Sequence, residues 1–194
     1  RSTDVLVTHT RHRDSRVRNV ALRSLVRMHG SAANNIVARA TTDKSAKVSE
    51  RAIRLLADQG SRHPAYLYVL LQILGRVPMS EWERREITVK LQVTAVEALG
   101  SLPLTVELGT LGTIEDVLLS CVETGESAVV DFFQRGKTDE YDDVRVAVCR
   151  QLGEKGGASS LSRLAQFAKD PSPRVRTQMR QAAEQVERRL QSGS

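Results

Sequence analysis

Apolar residues recur at helical spacing along most of this chain, and one stretch of that pattern is repeated. In residues 14–30 the apolar side chains fall on one side of a helix, at about 100° per residue. The pattern returns 31 positions later in residues 43–60, again from residue 170, and more weakly in two places between. The residues at its first apolar position are Val17, Val48, Leu91, Val144 and Val175. The chain is therefore predicted to consist of about five repeats.

Each copy carries the signals of one helix with defined ends. A capping residue such as Asp14 or Ser45 precedes the apolar run, and a glycine follows it after about 14 residues. The glycines predicted to end these helices are Gly30, Gly60, Gly100 and Gly153. Further apolar helical segments lie between the copies, and no sustained alternation indicates a strand. The sequence thus predicts an all-α chain of helical hairpins, with added loops or a helix in residues 76–86 and 104–140.

The order of residue types within the copies resembles a known repeat. One copy reads Asp14, Val17, Arg18, Ala21, Leu25 and Gly30, and another reads Asp142, Val144, Arg145, Val148, Leu152 and Gly153. This pattern resembles a short HEAT repeat of about 30 residues, although HEAT repeats of about 40–47 residues are more typical. The resemblance implies one right-handed α-solenoid domain of about five helical hairpins, in a chain that we expect to be part of a longer protein. Its expected repeats are residues 1–30, 31–60, 61–103, 104–157 and 158–194.

The same resemblance assigns roles to the core and to one set of arginines. The residues expected to be buried between neighbouring hairpins are Val17, Leu25, Val48, Leu56, Leu99, Val144, Leu152 and Val175. In HEAT repeats the arginine after the key valine pairs with the aspartate of a neighbouring repeat. The structural interpretation of Arg18, Arg145 and Arg176 is therefore an Asp–Arg ladder rather than a binding surface.

Charge is distributed unevenly along the chain. The net charge is +6, yet residues 1–62 hold 13 basic against 5 acidic side chains, whereas residues 63–140 hold 6 against 12. Aligning the copies places Arg16 and Arg23 above Lys47 and Arg54, in two short columns of cations. The candidate binding patch is Arg16, Arg23, Arg27, Lys47 and Arg54. The alternative is that these residues only form the solvated side of their helices.

Catalytic and cofactor motifs are absent from the sequence. His9 and His12 have no cysteine or carboxylate partner at metal-ligand spacing, and no nucleotide-binding or hydrolase fingerprint occurs. The acidic residues Asp139, Glu140, Asp142 and Asp143 lack the spacing of a calcium loop and are predicted to cap a helix beginning at Val144. Cys121 and Cys149 are predicted to be buried, reduced thiols. We therefore expect no catalytic residues, no metal and no cofactor.

Two classes of function remain open from the sequence. The first is a non-enzymatic scaffold that holds an acidic helix or peptide of a protein partner on its curved surface. The alternative is nucleic-acid binding through the phosphate backbone by the basic N-terminal repeats. A HEAT-like DNA glycosylase or a bilin lyase is less favoured, because Trp82 lies among glutamates that would repel DNA. We expect a cytoplasmic protein without membrane insertion, since no apolar run reaches about 20 residues.

Overall fold

The chain folds into helices that follow the predicted pattern. A computed structural model describes residues 2–60, 64–76, 78, 87–121, 138–166 and 168–192. Its helices are α1 (Ser2–His9), α2 (Ser15–His29), α3 (Asn34–Ala40), α4 (Ala46–Gly60), α5 (Tyr68–Ile73), α6 (Val89–Gly100), α7 (Ile114–Ser120), α8 (Thr138–Lys155), α9 (Ala158–Gln166) and α10 (Pro173–Ser192). Within these ranges the only β-type pairing is an isolated bridge between Glu107 and Thr113. The all-α expectation is confirmed at this level.

Five of these helices pack side by side in chain order. Helix α2 packs on α4, α4 on α6, α6 on α8, and α8 on α10, and each of the five carries one copy of the repeated pattern. We call these five helices the helix row. Shorter helices lie against the row: α1 on α2, α3 on α4, α5 on α6, α7 on α8 and α9 on α10. Neighbouring copies in the sequence are therefore neighbours in space.

The core lies between successive helices of the row. Seven of the eight residues predicted to be buried are at most 1% exposed: Leu25, Val48, Leu56, Leu99, Val144, Leu152 and Val175. Val17 is only half-buried, and Val20 and Met28, which the helical pattern placed on the same packing side, are 63% and 56% exposed. Helix α2 instead buries Arg18, Ala21, Leu22 and Leu25. Among the described residues, α4 covers one side of α2, and no helix of the row covers the side that carries Val17 and Val20.

The helix ends agree with the prediction in part. Asp14 caps α2, with its carboxylate accepting a hydrogen bond from the Arg16 backbone N–H, and Gly30 ends that helix at a positive φ of 53°. Helix α8 ends at Lys155, between Gly153 and Gly156, so the predicted helix end near these glycines is confirmed. Gly153 itself also provides space, since a Cβ atom would lie 2.9 Å from the Ala182 Cα of α10.

The acidic cluster near residue 140 does not cap a helix at Val144. Helix α8 begins at Thr138, so Asp139, Glu140, Asp142 and Asp143 all lie within its first turns. Carboxylates are favourable there because of the helix dipole, and Asp142 is also held by Arg145 and by the Ser172 hydroxyl. The capping prediction therefore had the right end of the helix and the wrong first residue.

Residues 104–121 contain α7, which pairs with α8 as each other short helix pairs with its long helix, and this stretch has no α-helix in addition to that pair. Thr113 and Asp116 form a reciprocal capping box at the start of α7, and Arg163 of α9 donates a hydrogen bond to Asp116 at 2.7 Å. The prediction of a mobile loop within 104–140 also covers residues 122–137, which lie outside the described residues, as do Trp82 and most of residues 76–86. In the described part of the chain, no helix has both the length and the apolar character needed to span a bilayer.

The close approach at Gly153 leads to a matched pair of substitutions. We expect Gly153→Ala to lower the free energy of unfolding by about 1–2 kcal/mol, because the overpacking against α10 outweighs the better helix propensity of alanine. Gly157→Ala is the control, since a Cβ atom there would meet nothing within 4 Å. Urea titration followed by circular dichroism measures both variants. Equal stabilities would contradict the packing interpretation.

Candidate functional site

The arginine after the key valine is a structural residue in the first copy. Arg18 is 4% exposed, and its Nε and Nη2 donate to the two carboxylate oxygens of Asp43 at 2.8 and 2.6 Å. Its Nη1 donates to the backbone carbonyls of His12 and Arg13 at 2.8 and 3.0 Å. The hydrogen bond to Asp43 raises the pKa of Arg18 above its usual value. The guanidinium therefore joins the loop before α2 to the loop before α4.

The same contact recurs at the other end of the row. Arg145 is 5% exposed and donates to Asp170 at 2.9 Å, across the same sequence separation as Arg18 and Asp43. Asp170 accepts the Ser172 N–H at 2.9 Å, as Asp43 accepts the equivalent N–H of Ser45. The predicted Asp–Arg ladder is thus confirmed at these two steps. These arginines are buried and are not a binding surface.

The five residues of the candidate patch are on the solvent side of α2 and α4. All of them are exposed: Arg16, Arg23, Arg27, Lys47 and Arg54. The side chain of Arg16 is 90% exposed, and it forms a 3.0 Å ion pair with Asp14. The hydrogen bond from Arg16 lowers the pKa of Asp14. We call these five residues the basic face.

The predicted columns of charged residues are supported by contacts between residues at the same position of neighbouring copies. Arg54 lies 3.9 Å from Glu97, the residue at its position in the next copy, and Arg174 lies 2.5 Å from Asp143 in the same way. Farther along the row, Lys90 pairs with Glu50 and Arg174 pairs with Asp143. Within the described residues, three exposed cations of the first two copies have no carboxylate at ion-pair distance: Arg23, Arg27 and Lys47. In the fourth copy, exposed Arg150 has none either.

Other chemical groups in the described residues do not assemble into a reactive centre. No group of three or more histidine, cysteine or carboxylate side chains there has a geometry that could hold a metal ion. The rings of His9 and His12 stack at 6.1 Å, and the Nδ1 of His9 is hydrogen-bonded to the Val5 carbonyl. Cys121 and Cys149 are buried thiols that form no disulfide with each other, as predicted, and burial raises the pKa of Cys149 to about 12.

Two concave features were missed by sequence reasoning. A cavity of about 750 Å³ lies between α3, α5 and the loop at Glu107, and buried Asn34 is among its lining residues. A groove of about 420 Å³ lies between α1 and α2, lined by Leu6, Val17 and Val20. The alignment contains a signal for the second feature, because Val20 stands where the next copy has the exposed Arg51.

The buried ladder gives a prediction about stability. Arg18→Met should lower the free energy of unfolding by about 3–5 kcal/mol, because the substitution leaves the Asp43 carboxylate without its cation. Arg16→Met, at an exposed ion pair of the same helix, should change it by only about 0–1 kcal/mol. Denaturant titration compares the two. A loss at Arg18 no larger than the loss at Arg16 would show that the ladder is not a stabilising contact.

The raised pKa of Cys149 gives a prediction about reactivity. At pH 8, a thiol with a pKa of about 12 is a thiolate in only about one molecule in ten thousand, and the thiolate is the nucleophile. A disulfide reagent such as 5,5′-dithiobis(2-nitrobenzoate) should therefore leave Cys149 unmodified in the native protein and modify it promptly in denaturant. Mass spectrometry of the modified peptides identifies the site. Rapid modification of native Cys149 would contradict its burial.

Comparison with known proteins does not assign the chain to a family. No protein-family model matches the chain, and no curated protein matches it. Among solved structures, the chain is similar to an engineered protein whose crystal structure comes from the Northeast Structural Genomics Consortium, with 13% identity over 97% of each chain and a TM-score of 0.35. A similarity at this level supports no argument about fold or function.

Proposed function

We propose that the chain is a HEAT-like solenoid whose basic face binds an acidic helix or peptide of a protein partner, without catalysis. The fold part of this proposal is supported by the helix row, in which successive copies of one pattern are neighbours. It is supported further by the ladder, because Arg18 with Asp43 and Arg145 with Asp170 make the same contact between consecutive copies. A solenoid is the architecture in which each repeat contacts its sequence neighbours in one recurring way.

The observation that carries the binding proposal is the group of exposed cations on α2 and α4 that have no carboxylate neighbour among the described residues. Glu97 lies beside Arg54, and Asp143 lies beside Arg174, so those cations already have a carboxylate neighbour. Arg23, Arg27 and Lys47 have none among the described residues, and all three are exposed on adjacent helices. A local surplus of positive charge attracts an acidic partner and increases its association rate.

The same charges favour a protein segment over nucleic acid. A duplex lying along the columns would pass from the basic face to Glu97 and then to Asp143, which repel phosphates. A short acidic helix needs only the two helices α2 and α4. Single-stranded binding gains much of its affinity from bases stacking on aromatic side chains, and all five residues of the basic face are aliphatic cations. We therefore infer that the partner is a protein segment.

A charge-reversal pair tests the basic face. Arg23→Glu combined with Lys47→Glu should weaken binding of a fluorescent poly-L-glutamate probe by at least about tenfold, because two attractive cations become two repulsive anions. The matched control is Arg150→Glu combined with Arg180→Glu, which changes the net charge equally at exposed positions on α8 and α10. Fluorescence anisotropy at physiological salt measures both, and circular dichroism verifies folding.

The outcomes separate the candidate functions. Equal weakening by both double variants means that the probe responds only to net charge, and the basic face is then not a site. Competition by a random-sequence DNA duplex at physiological salt, with an affinity that falls steeply as salt increases, would favour nucleic acid instead. Capture of acidic proteins by the wild type and by the control, but not by Arg23→Glu with Lys47→Glu, is the result that the proposal predicts.

A further inference from the structure

Asn34, the first residue of α3, is a buried polar residue that has no side-chain hydrogen-bond partner in the described part of the chain. It is 5% exposed, and both its side-chain oxygen and its side-chain nitrogen are unpaired there. It also lines the cavity of about 750 Å³ between α3, α5 and the loop at Glu107. A buried amide without a partner destabilises a folded chain, and such groups are rare in native proteins. The carboxamide of Asn34 therefore needs a partner that the described residues do not provide.

The fifth copy shows that this position does not require a polar side chain. When the second and fifth copies are aligned on their long helices, Asn34 matches Leu161 and Val37 matches Leu164. Val37 and Leu164 are both at most 2% exposed, which supports the alignment. A leucine has the same branched shape as an asparagine and needs no hydrogen bond. Packing alone therefore does not account for a carboxamide in the second copy.

The other residues that line the cavity limit the kind of molecule that fits it. Two of the chain's three tyrosines are among them, Tyr66 and Tyr68, together with aliphatic side chains such as Leu56 and Val69. Walls of this kind favour a flat ring with apolar faces. Glu107 is the charged residue among the described lining residues, and a carboxylate repels an anionic ligand. The lining thus favours an uncharged aromatic ligand over an anion.

The carboxamide of Asn34 specifies the edge of that ring. Its oxygen accepts and its NH₂ group donates, so a ligand pairs with both only if a donor and an acceptor lie side by side on it. The nucleobases have such an edge, and asparagine pairs with the N6 and N7 atoms of adenine in this way. Both carboxamide atoms of Asn34 have almost no accessible surface, so the group must turn toward the cavity to form these bonds. The terminal torsion of an asparagine is broad, and such a turn therefore requires little energy.

We propose that the cavity binds an uncharged nucleoside, with the donor and acceptor edge of the base on Asn34 and the faces of the base against Tyr66 or Tyr68. The cavity volume of about 750 Å³ lies within the range of about 300–1,000 Å³ that is usual for small-ligand sites. The base supplies the hydrogen bonds that the described residues do not. None of the described lining residues belongs to the basic face, so this site does not depend on the proposed function.

The first test compares two buried carboxamides by thermal unfolding followed by circular dichroism. Gln92 is 1% exposed, and its side-chain nitrogen donates to the Ile73 carbonyl at 3.3 Å. Gln92→Leu should therefore lower the melting temperature by at least about 2 °C, because it removes a buried hydrogen bond. Asn34→Leu should leave the melting temperature unchanged or raise it, because it removes no such bond. An equal loss in the two variants would overturn the proposal, since Asn34 would then have a structural partner.

The second test measures the binding of adenosine, cytidine, guanosine and uridine by isothermal titration calorimetry. At least one of these nucleosides should bind the wild-type chain saturably. Asn34→Leu should weaken its binding by at least about tenfold, because the pair with the base is lost. Gln181→Leu is the matched control, since it also replaces a carboxamide by leucine but is exposed on α10 and does not line the cavity. It should bind the nucleoside like the wild type.

The charge of the ligand is tested with the 5′-monophosphate of the nucleoside that binds. We expect the monophosphate to bind more weakly than the nucleoside by at least about threefold, and Glu107→Gln to reduce this difference, because the variant removes the repelling carboxylate. A monophosphate that binds the wild type as tightly as its nucleoside would overturn the assignment to an uncharged ligand. Failure of all the nucleosides to bind, or equal binding by the wild type and Asn34→Leu, would overturn the proposal as a whole.

Discussion

The fold depends on placing a guanidinium where water cannot reach it. Arg18 and Arg145 are nearly inaccessible, so each must have a carboxylate, and Arg18 also donates its Nη1 to two backbone carbonyls. Asp43 and Asp170 satisfy this requirement from the loop that begins the next long helix. A shift of one residue between the helices would leave a buried charge unpaired. The ion pairs therefore set the register between copies, and the leucines and valines supply the burial that holds them there.

Much of this arrangement could be predicted from the sequence, because the repeat makes the same physical demand several times. Leu25 and Leu56 share one buried role, and the arginine after the valine is followed by an aspartate at a fixed distance. The errors have one cause. Periodicity tells which side of a helix is apolar, but whether a neighbour covers that side depends on tertiary contacts, so Val20 was placed on the packing side although it is exposed. The close approach of Gly153 to α10 is likewise a tertiary contact that the helix pattern does not show.

The residues of the candidate site could be predicted from the sequence, but the surface next to them could not. Aligning the copies gives the columns of the basic face, and the contacts of Arg54 with Glu97 and of Arg174 with Asp143 agree with them. The groove at Val20 could not be predicted from the sequence, because it forms where α1 meets the side of α2 that α4 does not occupy. The solvent side of α2 is thus charged, one flank is covered by α4, and the other flank lines the groove with α1.

The central claim is that the Asp–Arg pairs set the register between copies, and one measurement tests it most directly. A double-mutant cycle on the free energy of unfolding, with Arg18→Met, Asp43→Asn and both together, isolates the interaction between the two side chains. The account predicts a coupling energy of about 1–3 kcal/mol, and a similar value for Arg145 with Asp170. A coupling energy near zero at both pairs would contradict it, because apolar packing alone would then determine how the helices align.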